Sequence, residues 1–254
     1  MKIYFNEFKK WEFNYLEIFD IKEKNSLYYY FKFLSSKQFK KLDGDVIEAG
    51  VFRGKSLITT GLILSNLNSK KKIYGYDSFS GFPSFSIYDK HENFEILRNK
   101  KIISQKHFNE VLKIKKYHKK FKKKNISINN ISNSSNFANT NINYVKKKIH
   151  FFKLNNIKLV KGDFKNTMKK FKNLPKKISA GLIDCDLYDG YKISLETFWP
   201  KLIKNGKLFL DEYYSLKFPG PRIYMNKFLQ KNKDAKLIKE GITGDFERWS
   251  LKKI

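Results

Sequence analysis

Hydrophobic residues in the first part of the chain form short runs that end in turn residues and then change to helical spacing. The run Asp45–Ala49 is followed by a glycine-containing turn and by the apolar-rich stretch 57–64, which predicts a strand, a turn and a helix. The next run, 72–77, predicts a second strand about thirty residues after the first, as a βαβ crossover requires. These elements predict the start of a doubly wound α/β sheet.

Later hydrophobic runs predict the rest of this sheet. Further strands are expected at 157–163, 180–184 and 207–211. Between the last two, residues 194–202 predict a helix that ends at Asn205-Gly206. Residues 221–254 predict a last helix and closing strands. We therefore expect a Rossmann-like α/β sheet flanked by helices.

Two regions lie outside the repeating pattern. Residues 1–42 are aromatic and basic and predict an N-terminal helical segment, with one helix within 26–34 beside the sheet. Residues 110–150 contain lysine-rich helical stretches around an Asn/Ser-rich tract, 125–143. Because this tract has few residues able to bury surface, we expect a mobile insertion that is dispensable for folding. The length of 254 residues predicts one domain, 1–254, with its core at 43–230.

The formal net charge of +29 changes this picture little. Lysines can neutralise nucleic-acid phosphates, but specific phosphate and base recognition favours arginine. Only four of the 53 basic residues are arginine, namely Arg53, Arg98, Arg222 and Arg248. Abundant Lys, Asn, Ile and Phe are also what an AT-rich genome produces. We therefore interpret the charge as a solvated lysine-rich surface and expect no nucleic-acid partner.

Cysteine content and hydropathy indicate the compartment. The single cysteine, Cys185, excludes an internal disulfide framework. The N-terminus lacks the apolar segment of a signal peptide, and no run approaches 18 apolar residues, so no membrane span is expected. These features predict a cytoplasmic protein. The sequence does not determine the oligomeric state, and a homo-oligomer is one of the alternatives.

Acidic residues lie at the ends of five consecutive predicted strands. They are Glu48, Asp77, Asp163, Asp184 with Asp186, and Asp211 with Glu212. In open α/β sheets, ligands bind outside the carboxyl ends of the strands. The sequence therefore predicts an acidic binding site at this edge of the sheet.

The turn after the first strand indicates the kind of ligand. Its Gly50-x-x-x-Gly54 spacing is not the dinucleotide fingerprint, so no diphosphate site is indicated. Glycine does allow the backbone to approach a ligand closely, and Asp77 is suited to accept hydrogen bonds from ribose hydroxyls. Together they predict a nucleoside ligand without a diphosphate, and S-adenosylmethionine fits. The alternative interpretation of Asp77 is a turn residue before Ser78.

Three carboxylates of neighbouring predicted strand ends, those of Asp184, Asp211 and Glu212, are expected to converge. They would repel one another unless a divalent ion or a shared proton compensated them. Oxygen ligands favour Mg²⁺, with Ca²⁺ and Mn²⁺ as alternatives. Such an ion would chelate a vicinal diol, and Asp186 or Asp184 would act as the catalytic base. The alternative is that these acids are solvated caps of the following helices.

Five sequence blocks, taken in order, resemble the macrocin O-methyltransferase (TylF/MycF) family. The blocks are Glu48-Ala49-Gly50-Val51-Phe52-Arg53-Gly54-Lys55-Ser56, Asp77-Ser78-Phe79-Ser80-Gly81-Phe82-Pro83, Gly162-Asp163-Phe164-Lys165-Asn166-Thr167, Asp184-Cys185-Asp186-Leu187-Tyr188 and Asp211-Glu212-Tyr213. The resemblance implies a class I methyltransferase fold, S-adenosylmethionine, a divalent metal and methylation of a sugar hydroxyl on a nucleotide sugar, a glycan or a glycosylated metabolite.

The resemblance also implies roles for individual residues. Asp163 would lie near the adenine, and the metal set would be Asp184, Asp211 and Glu212. The full cofactor set is Glu48, Gly50, Gly54, Ser56, Asp77, Ser78, Gly162, Asp163 and Asp184.

Two other functions are alternatives to a sugar O-methyltransferase. A catechol-like acceptor would keep the fold and the metal, but such enzymes use a lysine three residues after the first metal aspartate, where this chain has Leu187. An RNA-binding protein or RNA methyltransferase is supported by charge alone, and the acidic strand ends would repel phosphates. The four histidines lack metal-ligand spacing and are expected at the surface, with His91 as a candidate base.

Overall fold

The computed structural model describes residues 4–127, 130–132, 134, 136–170 and 173–254. Its centre is a seven-stranded sheet in the order β3-β2-β1-β4-β5-β7-β6. The strands are β1 Asp45–Ala49, β2 Ile73–Asp77, β3 Ile157–Lys161, β4 Ile178–Ile183, β5 Leu202–Leu210, β6 Ala235–Thr243 and β7 Phe246–Lys253. Strands β1 to β5 pair in parallel, and β7 is antiparallel to both β5 and β6. The predicted doubly wound α/β sheet is confirmed.

Helices cover both faces of this sheet. They are α1 Lys10–Tyr15, α2 Tyr28–Leu34, α3 Lys37–Lys41, α4 Lys55–Asn66, α5 Asn93–Asn99, α6 Gln105–Lys122, α7 Ile142–Phe151, α8 Phe164–Thr167, α9 Tyr188–Phe198 and α10 Gly220–Lys231. Short 3₁₀ helices occur at Phe5–Glu7, Ile87–Asp89, Trp199–Lys201 and Asp211–Tyr214. Within the described ranges, no helix combines the length and the apolar character needed to cross a membrane.

Two hydrophobic layers result from the alternation of side chains along the strands. Val46 of β1 points to the layer that contains Phe31 of α2 and Leu57 of α4. Its neighbour Ile47 points to the opposite layer, which contains Phe198 of α9. Because successive strand residues face opposite sides, each central strand contributes to both layers. This double burial explains why these strands are continuous hydrophobic runs in the sequence.

The predicted helix stop at Asn205-Gly206 is wrong. Helix α9 ends at Phe198, and β5 already begins at Leu202. Asn205 lies inside β5 with φ of 66°, where the pairing with β4 shifts register. A left-handed residue of this kind occurs both at helix ends and at β-bulges, so the dipeptide alone does not distinguish them.

The Asn/Ser-rich tract 125–143 has contacts that its composition does not predict. Ile131 is buried in an apolar cluster with Leu187 and Phe218. The carbonyl of Asn136 accepts a hydrogen bond from the Phe82 N–H at 3.0 Å. The expectation that this tract lacks packing is therefore wrong for these residues, while residues 128, 129, 133 and 135 lie outside the described ones. Its mobility and dispensability stay predictions.

Candidate active site

A cavity of about 490 Å³ lies at the carboxyl ends of the parallel strands. It opens where β1 has β2 on one side and β4 on the other, which is the switch point at which doubly wound sheets bind ligands. Predicted site residues on its wall are Gly50, Ser56, Asp77, Ser78, Gly162, Asp163, Asp184, Asp186 and Asp211. Three others, Glu48, Gly54 and Glu212, are not among the cavity-lining residues.

Gly50 allows the ends of β1 and β4 to meet. Its φ is 93°, in the left-handed region that favours glycine. A Cβ at this position would lie 1.6 Å from the carbonyl oxygen of Asp184. Any other residue would separate the two strand ends, so glycine is required for the cavity to have its present shape.

Asp77 braces this glycine turn through its carboxylate. Its Oδ2 accepts hydrogen bonds from the backbone N–H groups of Val51 and Phe52, both at 2.8 Å. Its Oδ1 accepts one from the N–H of Phe79 at 2.6 Å. A carboxylate has about four acceptor positions, so little capacity remains for a ribose hydroxyl. The sequence predicted Asp77 as a cofactor residue but not this bracing role.

Glu48 is fully buried beneath the turn. The Ser56 hydroxyl donates to its Oε1 at 2.8 Å, whereas its Oε2 has no hydrogen-bond partner among the described residues. Burial, reinforced by the charge of Asp77, raises the pKa of Glu48 to about 8, against the opposing effect of the Ser56 hydrogen bond. Glu48 is therefore mainly protonated at neutral pH and connects β1 to α4.

Three carboxylates converge beside the turn. Carboxylate oxygens of Asp184, Asp186 and Glu212 all lie within 4.8 Å of one another. Burial and then mutual repulsion raise the pKa of Asp184 and of Glu212 well above their usual values, and that of Asp186 to about 7. Asp184 and Glu212 share a hydrogen bond, and Oε2 of Glu212 has no partner in the described structure. This all-oxygen donor set with a free buried oxygen fits Mg²⁺.

Asp211, predicted as a metal ligand, has a different neighbour. Its Oδ1 lies 3.6 Å from Nη1 of Arg248 on β7. Burial raises the pKa of Asp211, and Arg248 opposes this effect. A cation from outside the two acidic motifs therefore offsets part of their charge. The pairing of β5 with β7 brings Arg248 to this position, and the local sequence around Asp211 gives no sign of it.

Arg222 of α10 stacks on the Tyr213 ring, with its guanidinium carbon 3.8 Å from the ring centroid. Its Nη2 donates to the carbonyl of Ile102 at 2.7 Å. Arg222 thus attaches α10 to the segment before α6 and supports the Asp211–Tyr214 turn.

An aromatic wall was not predicted from the sequence. Phe52, Phe82 and Phe137 all line the cavity. The centroid of the Phe137 ring lies 5.4 Å from that of Phe52 and 5.1 Å from that of Phe82. Phe82 belongs to the quoted D-S-F-x-G-F-P block, whereas Phe137 lies in a polar tract without any hydrophobic pattern. The insertion therefore contributes a wall of the cavity.

The N-terminal segment also reaches the cavity. Glu17 lines it and forms an ion pair with Arg53 at 2.9 Å. The buried Lys148 ammonium donates to the Glu17 carbonyl at 2.8 Å, and the Tyr144 hydroxyl donates to the Glu17 carboxylate at 2.7 Å. These contacts connect the segment after α1, the glycine turn and α7 at one side of the opening.

Of the four histidines expected at the surface, only His150 is exposed. His107 and His118 are buried. His91 does not line the cavity, and burial, aided by Lys115, lowers its pKa to about 4. Its Nε2 is buried without a hydrogen-bond partner in the described structure. His91 is therefore a neutral packing residue in the folded protein and not a base at this site.

The strand order, with a final antiparallel hairpin, and the cavity at the switch point define a class I methyltransferase fold. A family model described as a methyltransferase domain matches residues 47–213. The chain belongs to this methyltransferase family. The matched segment contains the predicted acids that line the cavity, namely Asp77, Asp163, Asp184, Asp186 and Asp211.

Solved structures show the same fold. The O-methyltransferase NovP aligns with a TM-score of 0.60 at 17% identity, over 87% of this chain and 78% of that one. The calicheamicin methyltransferase CalS11 aligns with a TM-score of 0.60 at 21% identity, over 88% and 77%. A Bacillus cereus O-methyltransferase in complex with SAH aligns with a TM-score of 0.55 at 10% identity, over 98% and 92%. No curated protein matches the chain by sequence.

The bracing role of Asp77 predicts a loss of cofactor affinity when its carboxylate is removed. Asp77→Ala frees three backbone N–H groups of the turn, and we expect S-adenosylmethionine binding to weaken by about 1–3 kcal/mol. Isothermal titration calorimetry measures this change. Asp43→Ala, which removes an exposed acid paired with Lys177, is the matched control and should bind normally. Unchanged affinity in a folded Asp77→Ala protein would disprove the role.

The lowered pKa of His91 predicts acid sensitivity of the fold. Between about pH 6.5 and pH 4 the unfolded chain binds a proton that the folded state excludes, so this residue's contribution to stability is lost as pH falls through that window. His91→Gln should reduce the fall in thermal midpoint between neutral pH and the acidic end of the window. The exposed His150→Gln serves as control. An equal fall in wild type and His91→Gln would refute this prediction.

Proposed function

We propose that the protein is an S-adenosylmethionine-dependent O-methyltransferase that methylates a sugar-type hydroxyl with the help of a divalent cation, Mg²⁺. One observation carries the proposal: the braced Gly50 turn and the Asp184–Asp186–Glu212 oxygen cluster lie at the same edge of the sheet, next to one cavity. A methyl donor and an ion-organised acceptor would therefore meet over a short distance. Such positioning is a major source of rate enhancement in group transfer.

The cofactor half of the site consists of the turn and the neighbouring strand ends. The backbone around Gly50 approaches the ligand, and Asp77 keeps that backbone in place while Ser56 and Ser78 line the same wall. At the end of β3, Asp163 accepts a hydrogen bond from the Lys165 N–H and opens α8 beside Gly162. The resemblance to the macrocin O-methyltransferase family implies that the adenine binds near Asp163.

The metal half consists of Asp184, Asp186 and Glu212, with Asp211 beside them. Bound there, Mg²⁺ would supply the positive charge that lowers the pKa of a chelated hydroxyl. Asp186 lines the cavity and follows the metal-binding Asp184 by two residues. Its carboxylate, or that of Asp184, takes the hydroxyl proton as the acceptor oxygen bonds to the methyl carbon and the sulfonium sulfur recovers its electron pair. Arg248 pairs with Asp211 at 3.6 Å and opposes the rise in the pKa of Asp211 that burial causes.

The acceptor class follows from the walls of the cavity. The flat apolar faces of Phe52, Phe82 and Phe137 suit the C–H face of a pyranose ring, while the acids suit its hydroxyls. The fold neighbour CalS11 is described as a TDP-rhamnose 3'-O-methyltransferase. A nucleotide sugar, a glycan or a glycosylated metabolite is the acceptor that these features favour, and the single free cysteine is consistent with action in the cytoplasm.

A catechol-like acceptor is the second candidate. A putative caffeoyl-CoA O-methyltransferase from Staphylococcus aureus shares the fold, with a TM-score of 0.54 at 11% identity over 97% of this chain and 94% of that one. Leu187, at the position where such enzymes have lysine, is buried in the cluster with Ile131 and Phe218. It provides no ammonium group near the acceptor hydroxyl, and the sugar acceptor is therefore preferred.

Metal dependence provides the test of this proposal. Methyl transfer from labelled S-adenosylmethionine to a panel of nucleotide sugars, glycosides and catechols should disappear in EDTA and return with Mg²⁺, while cofactor binding should survive chelation. Asp184→Asn should abolish turnover without lowering the thermal midpoint, because the ion organises the acceptor rather than the core. Asp234→Asn, at an acid outside the cavity, is the matched control. Full activity in EDTA would refute the metal role, and transfer to catechols alone would refute the sugar acceptor.

A further inference from the structure

Helix α6 and the two residues after it form a strongly basic surface. Residues 105–124 contain nine lysines, a single acid, Glu110, and no arginine. All nine lysine side chains are exposed. One of them, Lys113, pairs with Glu110 at 2.9 Å. The other eight lysines have no acidic partner within residues 105–124, so this surface is strongly positive, whereas the cavity is lined by acids.

The opposite face of α6 is anchored in the domain. His107, Val111 and His118 are buried along one stripe at helical spacing. The ring of His107 stacks on Tyr214 with centroids 4.1 Å apart, and its Nε2 lies 2.8 Å from the carbonyl oxygen of Ser215. These contacts set which side of α6 faces outward.

Two exposed aromatic residues lie in the second half of α6, beside the buried stripe. Tyr117 is 55% exposed and Phe121 is 84% exposed, and no other large hydrophobic side chain in the described ranges is more exposed than Phe121. Their separation of four residues places them on one face. By the same helical spacing, Lys113, Lys116 and Lys120 flank them. We call these five residues the α6 patch.

We propose that the α6 patch docks the protein on the surface of an anionic lipid bilayer. Aromatic rings on a basic helix enter the interface between headgroups and acyl chains, while lysine ammonium groups meet the lipid phosphates above it. Charge complementarity selects this occupant over a second copy of the chain, because two copies would bring identical positive patches together on proteins that each carry +29.

Single-stranded RNA is the other polyanion to consider, and the geometry favours it less. Stacking proteins hold bases along a positively charged groove, whereas Tyr117 and Phe121 lie exposed on the surface of a single helix. No α6 residue lines the cavity, so RNA bound at the α6 patch would gain no contact with the reactive acids. The absence of arginine from α6 also removes the bidentate phosphate contacts that RNA sites favour.

Vesicle co-sedimentation of the full chain tests the proposal. The protein should bind phosphatidylcholine vesicles that contain phosphatidylglycerol and should not bind phosphatidylcholine alone, and added salt should weaken binding. Replacing Lys113, Lys116 and Lys120 by Gln should weaken it about 100-fold, and Tyr117→Ser with Phe121→Ser about tenfold.

Matched controls separate the α6 patch from overall charge and from exposed aromatics elsewhere. One control replaces the exposed Lys231, Lys233 and Lys236 by Gln, and the other replaces Trp11 and Tyr15 by Ser on α1. Both should bind vesicles like the wild type, and all variants should keep the wild-type thermal midpoint and cofactor affinity. The proposal is overturned if anionic vesicles do not bind, if the controls lose as much binding as the α6 variants, or if poly(U) RNA binds tightly while vesicles do not.

Discussion

Repulsion among three carboxylates at the carboxyl ends of β4 and β5, one buried and two half-buried, is the constraint on which the site depends. Asp184, Asp186 and Glu212 bring their oxygens within 4.8 Å of one another in a setting that raises the pKa of each. The folded chain holds this arrangement only with bound protons or with a cation. A divalent ion would neutralise these carboxylates and would also provide a binding position for an acceptor oxygen. The same ion would therefore stabilise the folded site and take part in methyl transfer.

The rest of the site is arranged around that cluster by close backbone packing. Gly50 lets β1 pass within contact of the Asp184 carbonyl, and Asp77 of β2 fixes the turn that follows. The glycine turn and the acidic cluster are therefore in direct contact through the backbone of Gly50 and Asp184. Asp211 lies beside the cluster, where its carboxylate interacts with Glu212 and with Arg248 of the antiparallel strand β7.

Elements with strong local patterns could be predicted from the sequence, and contacts between distant segments could not. The strand runs predicted the sheet, because buried parallel strands are continuous hydrophobic runs, and the turns and acids at their ends predicted nine of the residues that line the cavity. Arg248 escaped prediction, since only the β5–β7 pairing brings it to Asp211. Phe137 could not be predicted as a cavity residue because the polar tract around it has no hydrophobic periodicity. The sequence pattern places a helix end at Asn205-Gly206, where the structure has a β-bulge, because a residue with left-handed backbone occurs at both kinds of site.

The most direct test of the metal site is a crystal structure of the protein with S-adenosylhomocysteine and Mn²⁺, measured at the manganese absorption edge. We expect one anomalous peak among the carboxylates of Asp184, Asp186 and Glu212, next to a nucleoside held by the Gly50 turn. Anomalous density elsewhere, or a nucleoside in the cavity beside an acidic cluster that binds no ion at saturating Mn²⁺, would contradict it.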